Sequence, residues 1–322
     1  MKRRAALGAL ATCALAPATG RAADPVRRVG YLSGGASAEE LSSRLARLGW
    51  VEGKNLRFHL RIVKSGASET ELSAAVAGLV AAKPDVLVAF LDRVDLLAAA
   101  TKTIPIVAGL HADPVGLGVA KSLRRPGGNV TGLSVGERES AGVWLGILKT
   151  LRPKLARLVV FHGIGGEARM RAVSKAWQDA ANSIGVAVSY APCATPADIS
   201  RAFEALGDPA SAAAIVPPRG SSTTALPGTL EATLYALAIQ RGIAAVGVAD
   251  EGALMRYETS YSDPWGRLAA IVDKVLRGES AADIPFELPD SADFVVNRAT
   301  AKSIGVNLPP EILLRATDVI DK

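Results

Sequence analysis

The groups in this 322-residue chain that could do chemistry are three histidines, two cysteines and scattered loop carboxylates and arginines. His59, His111 and His162 lie far apart, and none has a Cys or second His at metal-ligand spacing, so no metal site is expected. Cys193 follows a Pro with no evident His partner, so it is not read as a nucleophile. Gly163-Ile164-Gly165-Gly166-Glu167-Ala168 follows an apolar run and opens a helical pattern, matching G-x-G-x-x-A. The next apolar run ends Ser189-Tyr190-Ala191, without the acid that would take a ribose hydroxyl. We therefore read the glycines as a strand-to-helix loop at a cleft and expect no cofactor. Asp113 is placed to cap a helix over Val115–Arg124, with Pro114 at its first position. Pro126-Gly127-Gly128-Asn129 then turns the chain into the next strand.

These groups need a scaffold, and the N-terminus says where it works. Lys2, Arg3 and Arg4 precede an uncharged, Ala- and Leu-rich run from Ala5 to Ala16, followed by small residues. This is the layout of a secretory signal peptide over residues 1–22, with an apolar run too short to span a bilayer. Its removal takes away Lys2, Arg3, Arg4 and Arg21 and lowers the net charge from +6 to +2. The basicity that hints at nucleic acid thus belongs mostly to the leader, and no nucleic-acid partner is expected. No later stretch is apolar for about 18 residues, so the mature chain is expected to be exported, soluble and not membrane-spanning. Cys193 would be its only cysteine, which excludes an intrachain disulfide.

Short β-branched runs alternate with longer helical patterns from Arg27 onward. Expected strands are Arg28–Leu32, Asn55–Val63, Asp85–Phe90, Ile104–Leu110 and Asn129–Ser134, then Leu158–His162, Val186–Ala191, Ala212–Val216 and Ile243–Val248. The alternation predicts α/β architecture with parallel sheets covered on both faces. Leu48-Gly49 and Ile184-Gly185 each precede the second strand of a series, a weak repeat that points to two similar Rossmann-like lobes. One lobe is expected from residues 27–135 plus a returning segment near 252–280. The other takes 136–251 plus part of 281–322.

The run His111-Ala112-Asp113-Pro114-Val115-Gly116 through Gly132-Leu133-Ser134 resembles the signature of ABC-transporter substrate-binding proteins of the tryptophan/tyrosine-binding type. Val29-Gly30-Tyr31-Leu32-Ser33 and Leu48-Gly49-Trp50-Val51-Glu52-Gly53-Lys54-Asn55 are similar to that family's first strand, helix and turn. Gly252-Ala253-Leu254-Met255-Arg256-Tyr257 is similar to its hinge strand, and Leu308-Pro309-Pro310-Glu311 to its tail. The resemblance implies a type I periplasmic-binding-protein (Venus flytrap) fold, a small-molecule ligand held between the lobes, and no catalytic activity. It also implies a periplasmic location and a membrane permease with a separate ATPase as partners. A monomer is the expected state, with a dimer as the alternative.

Ligands of open α/β sheets sit beyond the carboxyl ends of the strands. In the first lobe this nominates Ser33, Gly34, Leu91, Asp92, Arg93, Asp113 and Ser134. In the second it nominates Gly163, Gly165, Arg219 and Asp250. Three of these loops depart from the family pattern: Leu91-Asp92-Arg93 replaces a Gly-Thr type, Gly163-Ile164-Gly165-Gly166 an Asn-Pro type, and Pro217-Pro218-Arg219 an acidic one. The departures argue against an aromatic amino acid and, through Arg219, for a more anionic ligand. An exported α/β enzyme using Asp92 or Asp113 as an acid/base group, and a receptor for a signalling partner, are the alternatives.

Overall fold

A computed structural model describes residues 25–35, 38–64, 67–163, 174–216, 226 and 228–321. Two sheets organise it. The first runs in the order β2-β1-β3-β4-β5, from β1 (Arg27–Ser33), β2 (Leu56–Ile62), β3 (Val86–Phe90), β4 (Ile106–His111) and β5 (Val130–Ser134). All its pairings are parallel. The second contains β6 (Arg157–His162), β7 (Ala187–Pro192), β8 (Ala212–Ile215), β9 (Ala244–Val246), β10 (Met255–Ser260), β11 (Ser291–Asn297) and β12 (Asp318–Ile320). Their order is β12-β11-β10-β9-β8-β6-β7, and only β10 and β11 pair antiparallel.

The period-2 alternation of apolar side chains sends each strand's residues to opposite faces, so each lobe has two cores. Val29, Tyr31, Val86 and Val88 pack on one face of the first sheet, and Leu32, Leu87 and Ala89 on the other. In the second sheet Leu158 and Val160 oppose Val159 and Phe161 in the same way. The helices covering these faces follow local rules. In α1 (Glu39–Arg47), Glu39 and Glu40 open the helix and Arg44 and Arg47 end it, as the helix dipole favours. Ser68 and Glu71 form a reciprocal capping box at α2 (Glu69–Ala81). α3 (Arg93–Ala100) follows β3, and α4 (Glu137–Leu151) follows β5. α5 (Lys175–Ser183), α6 (Pro196–Leu206) and α7 (Gly228–Gln240) belong to the second lobe.

Three crossovers join the lobes. The chain leaves the first lobe between Ser134 and Glu137, where α4 buries Trp144, Leu145 and Leu148 in the second lobe's core. It returns after Ser260 into α8 (Pro264–Leu276), which packs Leu268, Ile271 and Val272 against Val29 and Val86. It crosses once more between Glu287 and Ser291 to enter β11. β5 and β10 both run toward the junction, so the two sheets turn their carboxyl ends to each other.

Some boundaries differ from expectation. Met255–Ser260, assigned from sequence to the returning segment, is a strand of the second sheet, because Met255 pairs with both Val246 and Val296. The return begins at Tyr261 and runs on past residue 280, since Ile284 and Phe286 also pack in the first lobe. Short α9 (Arg298–Ser303) and α10 (Pro310–Arg315) and strand β12 close the chain. Val115–Arg124 forms successive turns and no helix. Gly118 sits at φ +76°, a conformation that interrupts a right-handed helix at once.

Gly132 in β5 is under the tightest backbone constraint. It has φ +140°, and a Cβ there would lie 2.2 Å from the Ala108 carbonyl oxygen on β4. Gly132→Ala is expected to lower the unfolding free energy by about 3 kcal/mol or more. Gly142→Ala on α4, where a Cβ meets nothing within 4 Å, is expected to raise it by up to about 1 kcal/mol. Urea denaturation of the two variants checks both, and similar effects would contradict the β4–β5 constraint.

Candidate functional site

The carboxyl ends of the first sheet carry the signs of a site. Leu91 after β3 and Leu110 in β4 both have left-handed backbone, at φ +53° and +60°. A branched residue there costs about 1 kcal/mol or more, and such strain concentrates at functional positions. Arg93 opens α3 but reaches sideways, over Gly34 at the end of β1, to donate from Nη2 to the Val63 carbonyl beyond β2 at 2.9 Å. One guanidinium thus lies across the ends of three strands. Its Nη1 is 3.8 Å from Asp92, and both side chains are buried. Ser33, also buried, accepts from the Gly35 amide at 3.1 Å.

On the next strand His111 is buried, with Nε2 bonded to Asp95 of α3 at 2.9 Å. Ser134 stands beside His111 in register on β5, and Gly132-Leu133-Ser134-Val135-Gly136 has the Gly-x-Ser-x-Gly spacing of a nucleophile elbow. The Ser134 hydroxyl accepts instead from the Gly136 amide at 3.1 Å, and no hydrogen bond joins it to the His111 ring. The serine therefore shapes the crossover, and the triad geometry is not assembled.

Asp113, only 6% exposed, uses one carboxylate oxygen to accept from the Gly116 amide at 2.8 Å. The capping role expected for it is realised as an Asx turn. Its other oxygen faces Arg138 Nη2 at 2.9 Å, and Arg138 reaches Asp179 on α5 with Nη1 at 3.5 Å. Arg138 belongs to α4, so this ion pair spans the two lobes. The preceding residue, Glu137, accepts from the indole N–H of Trp177, which stacks edge-on against Trp144 at 5.1 Å. Arg138, Glu137, Trp177 and Asp95 were not singled out from sequence. Their signal lay in the helix starts: an arginine in a helix's first turn opposes the dipole, so Arg138 and Arg93 both needed an anion supplied from elsewhere.

In the second lobe, Gly163 follows β6, and His162 Nδ1 donates to its carbonyl at 2.8 Å. Asp250 is exposed and stands apart from these groups. Its turn is tied by Asn297 to the Ala249 carbonyl (3.0 Å) and by Thr300 to the Gly252 carbonyl (3.2 Å), at the end of β11 remote from the crossover. Gly165 and Arg219 lie outside the described residues, as do residues 1–22. Among the described residues, no three His, Cys, Asp or Glu side chains are grouped to hold a metal ion.

Glu137 titrates above its ordinary value of 4.5, first because it is removed from water and then because Asp113 is negative nearby, with the Trp177 bond opposing both. The folded chain therefore holds this proton more tightly than the unfolded one. Its contribution to stability is full below the unfolded pKa and is lost as pH rises through the raised folded value. Glu137→Gln keeps an acceptor for Trp177 and removes that loss. It is expected to match the parent near pH 4 and to exceed its stability near pH 7.5. Denaturation midpoints across that range check this, and parallel profiles would refute the assignment.

The comparisons with known proteins bear on all of this geometry. The model of the ABC transporter substrate binding protein family matches residues 36–320. A tyrosine-binding protein of Clostridioides difficile (strain R20291) is 27% identical over 209 residues, 64% of this chain, and the chain spans 58% of that relative's length. A conserved domain protein from Vibrio cholerae O1 biovar eltor str. N16961 superposes with a TM-score of 0.68 at 24% identity, covering 91% of this chain and 99% of that one. An ABC domain from Streptococcus pneumoniae, solved in complex with L-Trp, gives 0.65 at 20% identity over 91% and 99%. The structural likenesses share the two-lobed architecture of type I periplasmic binding proteins. The family match takes in every strand after β1 and every crossover between the lobes, and the chain belongs to the ABC transporter substrate binding protein family.

Proposed function

We propose that this protein is an exported receptor that captures a small amino-acid-like molecule or small carboxylate between its lobes and delivers it to an ABC importer. Two mostly parallel sheets that turn their carboxyl ends to each other across three crossovers carry this reading. Each lobe alone offers half a site. A ligand touching both is held best when they close on it, so binding draws the lobes together and marks the loaded receptor for its permease. The ligand class draws on the tyrosine-binding protein and on the neighbour solved with L-Trp, together with the charged loops of this chain. The partner would be a permease driven by an ATPase on a separate chain, and the site of action the periplasm. No described helix is long and apolar enough to cross a membrane, in keeping with a receptor that works beside the bilayer. No catalytic step is assigned to the cleft, because Asp113 is committed to Arg138 and to the Gly116 amide.

A thermal-shift screen of the mature chain against amino acids, small carboxylates and small cyclic solutes tests the reading. A ligand at 100 times its Kd stabilises the folded state by about 2.7 kcal/mol. We expect at least one solute to give a saturable rise in Tm together with a smaller radius of gyration in X-ray scattering. A chain that shifts with none of them is not a receptor of this class.

A further inference from the structure

We infer that Arg93 is the anion-selecting group of the first lobe and restricts the cargo to molecules bearing a carboxylate. This rests on the receptor reading above and adds the chemistry of the ligand's recognised end.

Arg93 stands where its own helix disfavours it. It is the first residue of α3, at the positive end of the helix dipole. Its side chain is nonetheless drawn in to 8% exposure, over Gly34 and across the ends of β1 and β2. A guanidinium has five N–H donors, and removing it from water requires acceptors for them. The described residues supply one hydrogen bond, from Nη2 to the Val63 carbonyl, and one ion pair, from Nη1 to Asp92 at 3.8 Å, longer than a hydrogen bond. Buried Nε has no hydrogen-bond partner among the described residues. Asp95, the other carboxylate of this helix's first turn, faces His111.

The guanidinium therefore presents unspent donors at the sheet's carboxyl end, beside a helix N-terminus, on the face turned toward the second lobe. A planar carboxylate is the acceptor that fits such a fork, taking two parallel N–H···O bonds. The Asp92 carboxylate next to it tempers the positive field, which favours a singly charged carboxylate, or an amino acid carrying its own ammonium group, over a phosphate ester. A purely structural strut between β3 and β2 needs only the Val63 bond, which a lysine or glutamine could also make.

Paired solutes that differ in one group separate these roles. The mature chain, Arg93→Gln and Arg93→Lys are titrated calorimetrically with each amino acid or small carboxylate that shifts the parent's Tm, and with the corresponding primary amides. The acids are expected to bind the parent and the amides to bind far more weakly. Arg93→Gln is expected to lose about 10- to 100-fold in affinity for the acids, the worth of a charge-assisted hydrogen bond. Arg93→Lys is expected to recover part of that loss. Gly34→Ala gives a second route, because its Cβ would stand 3.0 Å from Arg93 Nη2 and displace the guanidinium while leaving the charge in place. It is expected to weaken the acids as well. Far-UV circular dichroism and unliganded Tm values confirm that each variant folds. Amides binding as tightly as acids, or acid affinities unchanged in folded Arg93→Gln, would overturn the inference and leave the receptor reading intact. Binding only of neutral solutes would do the same, whereas no binding by the parent would remove the receptor reading and this inference with it.

Discussion

One phenol ties the three crossovers together. Tyr261 stands at the start of the returning segment with its ring buried, and its hydroxyl lies 2.5 Å from the Ser134 carbonyl and 2.7 Å from the Glu287 carbonyl. Each of the three crossovers thus contributes one atom to a single point. Thr259 adds a bond to the Val135 carbonyl at 2.6 Å. Arg267 sits over the Tyr261 ring at 5.6 Å while its guanidinium holds Glu287 at 2.9 Å and Asp290 at 2.6 Å. Burial pushes the Tyr261 hydroxyl well above its ordinary value, so it remains a donor at every physiological pH. One proton faces two carbonyls, so the phenol can donate to either.

The β4–β5 end of the first lobe is referred to that point. Ser134 is both the Tyr261 acceptor and a neighbour of His111, and Asp113 follows His111 by two residues. Asp113 then meets Arg138, four residues past Ser134 on the far side of the crossover. The pair is asymmetric, since the Asp113 side chain is 6% exposed and that of Arg138 43%. Breaking it from the arginine side leaves a buried carboxylate with only the Gly116 amide, whereas an exposed pair would count for little. The bridge is thus a polar contact between lobes whose apolar clusters are separate.

The sheets could be read from sequence because their information is local. Val86 to Phe90 or Leu158 to His162 announce a covered strand by composition alone, and the structure has strands there. Ser291–Asn297 gave no such sign, since its first half is polar and it pairs only at the far end of a long excursion through the first lobe. Asp113-Pro114 looked like a helix start, and the local chemistry was right; glycines two and four residues past Pro114 converted it to turns. Arg93 and Gly34 could be named from strand ends, though not their contact, which spans 59 residues. Arg138, Trp177 and Tyr261 act through partners 25, 40 and 127 residues away, a relation that no window of sequence displays.

This division of labour explains how one chain can be rigid and responsive together. Each lobe is finished on both faces of its sheet, so closure need not repack a core. What changes is the small set of groups at the junction and the strand ends. Moving a two-state equilibrium from 1:99 to 99:1 requires about 5.5 kcal/mol of differential binding. A charge-assisted hydrogen bond contributes roughly 1.5–3 kcal/mol, and each buried methylene about 0.8 kcal/mol. One charge-assisted bond together with about three to five buried methylenes reaches that threshold. The candidate selecting groups sit on loops at the strand ends, whereas Gly132 and Tyr261 belong to the strands and crossovers that position those loops.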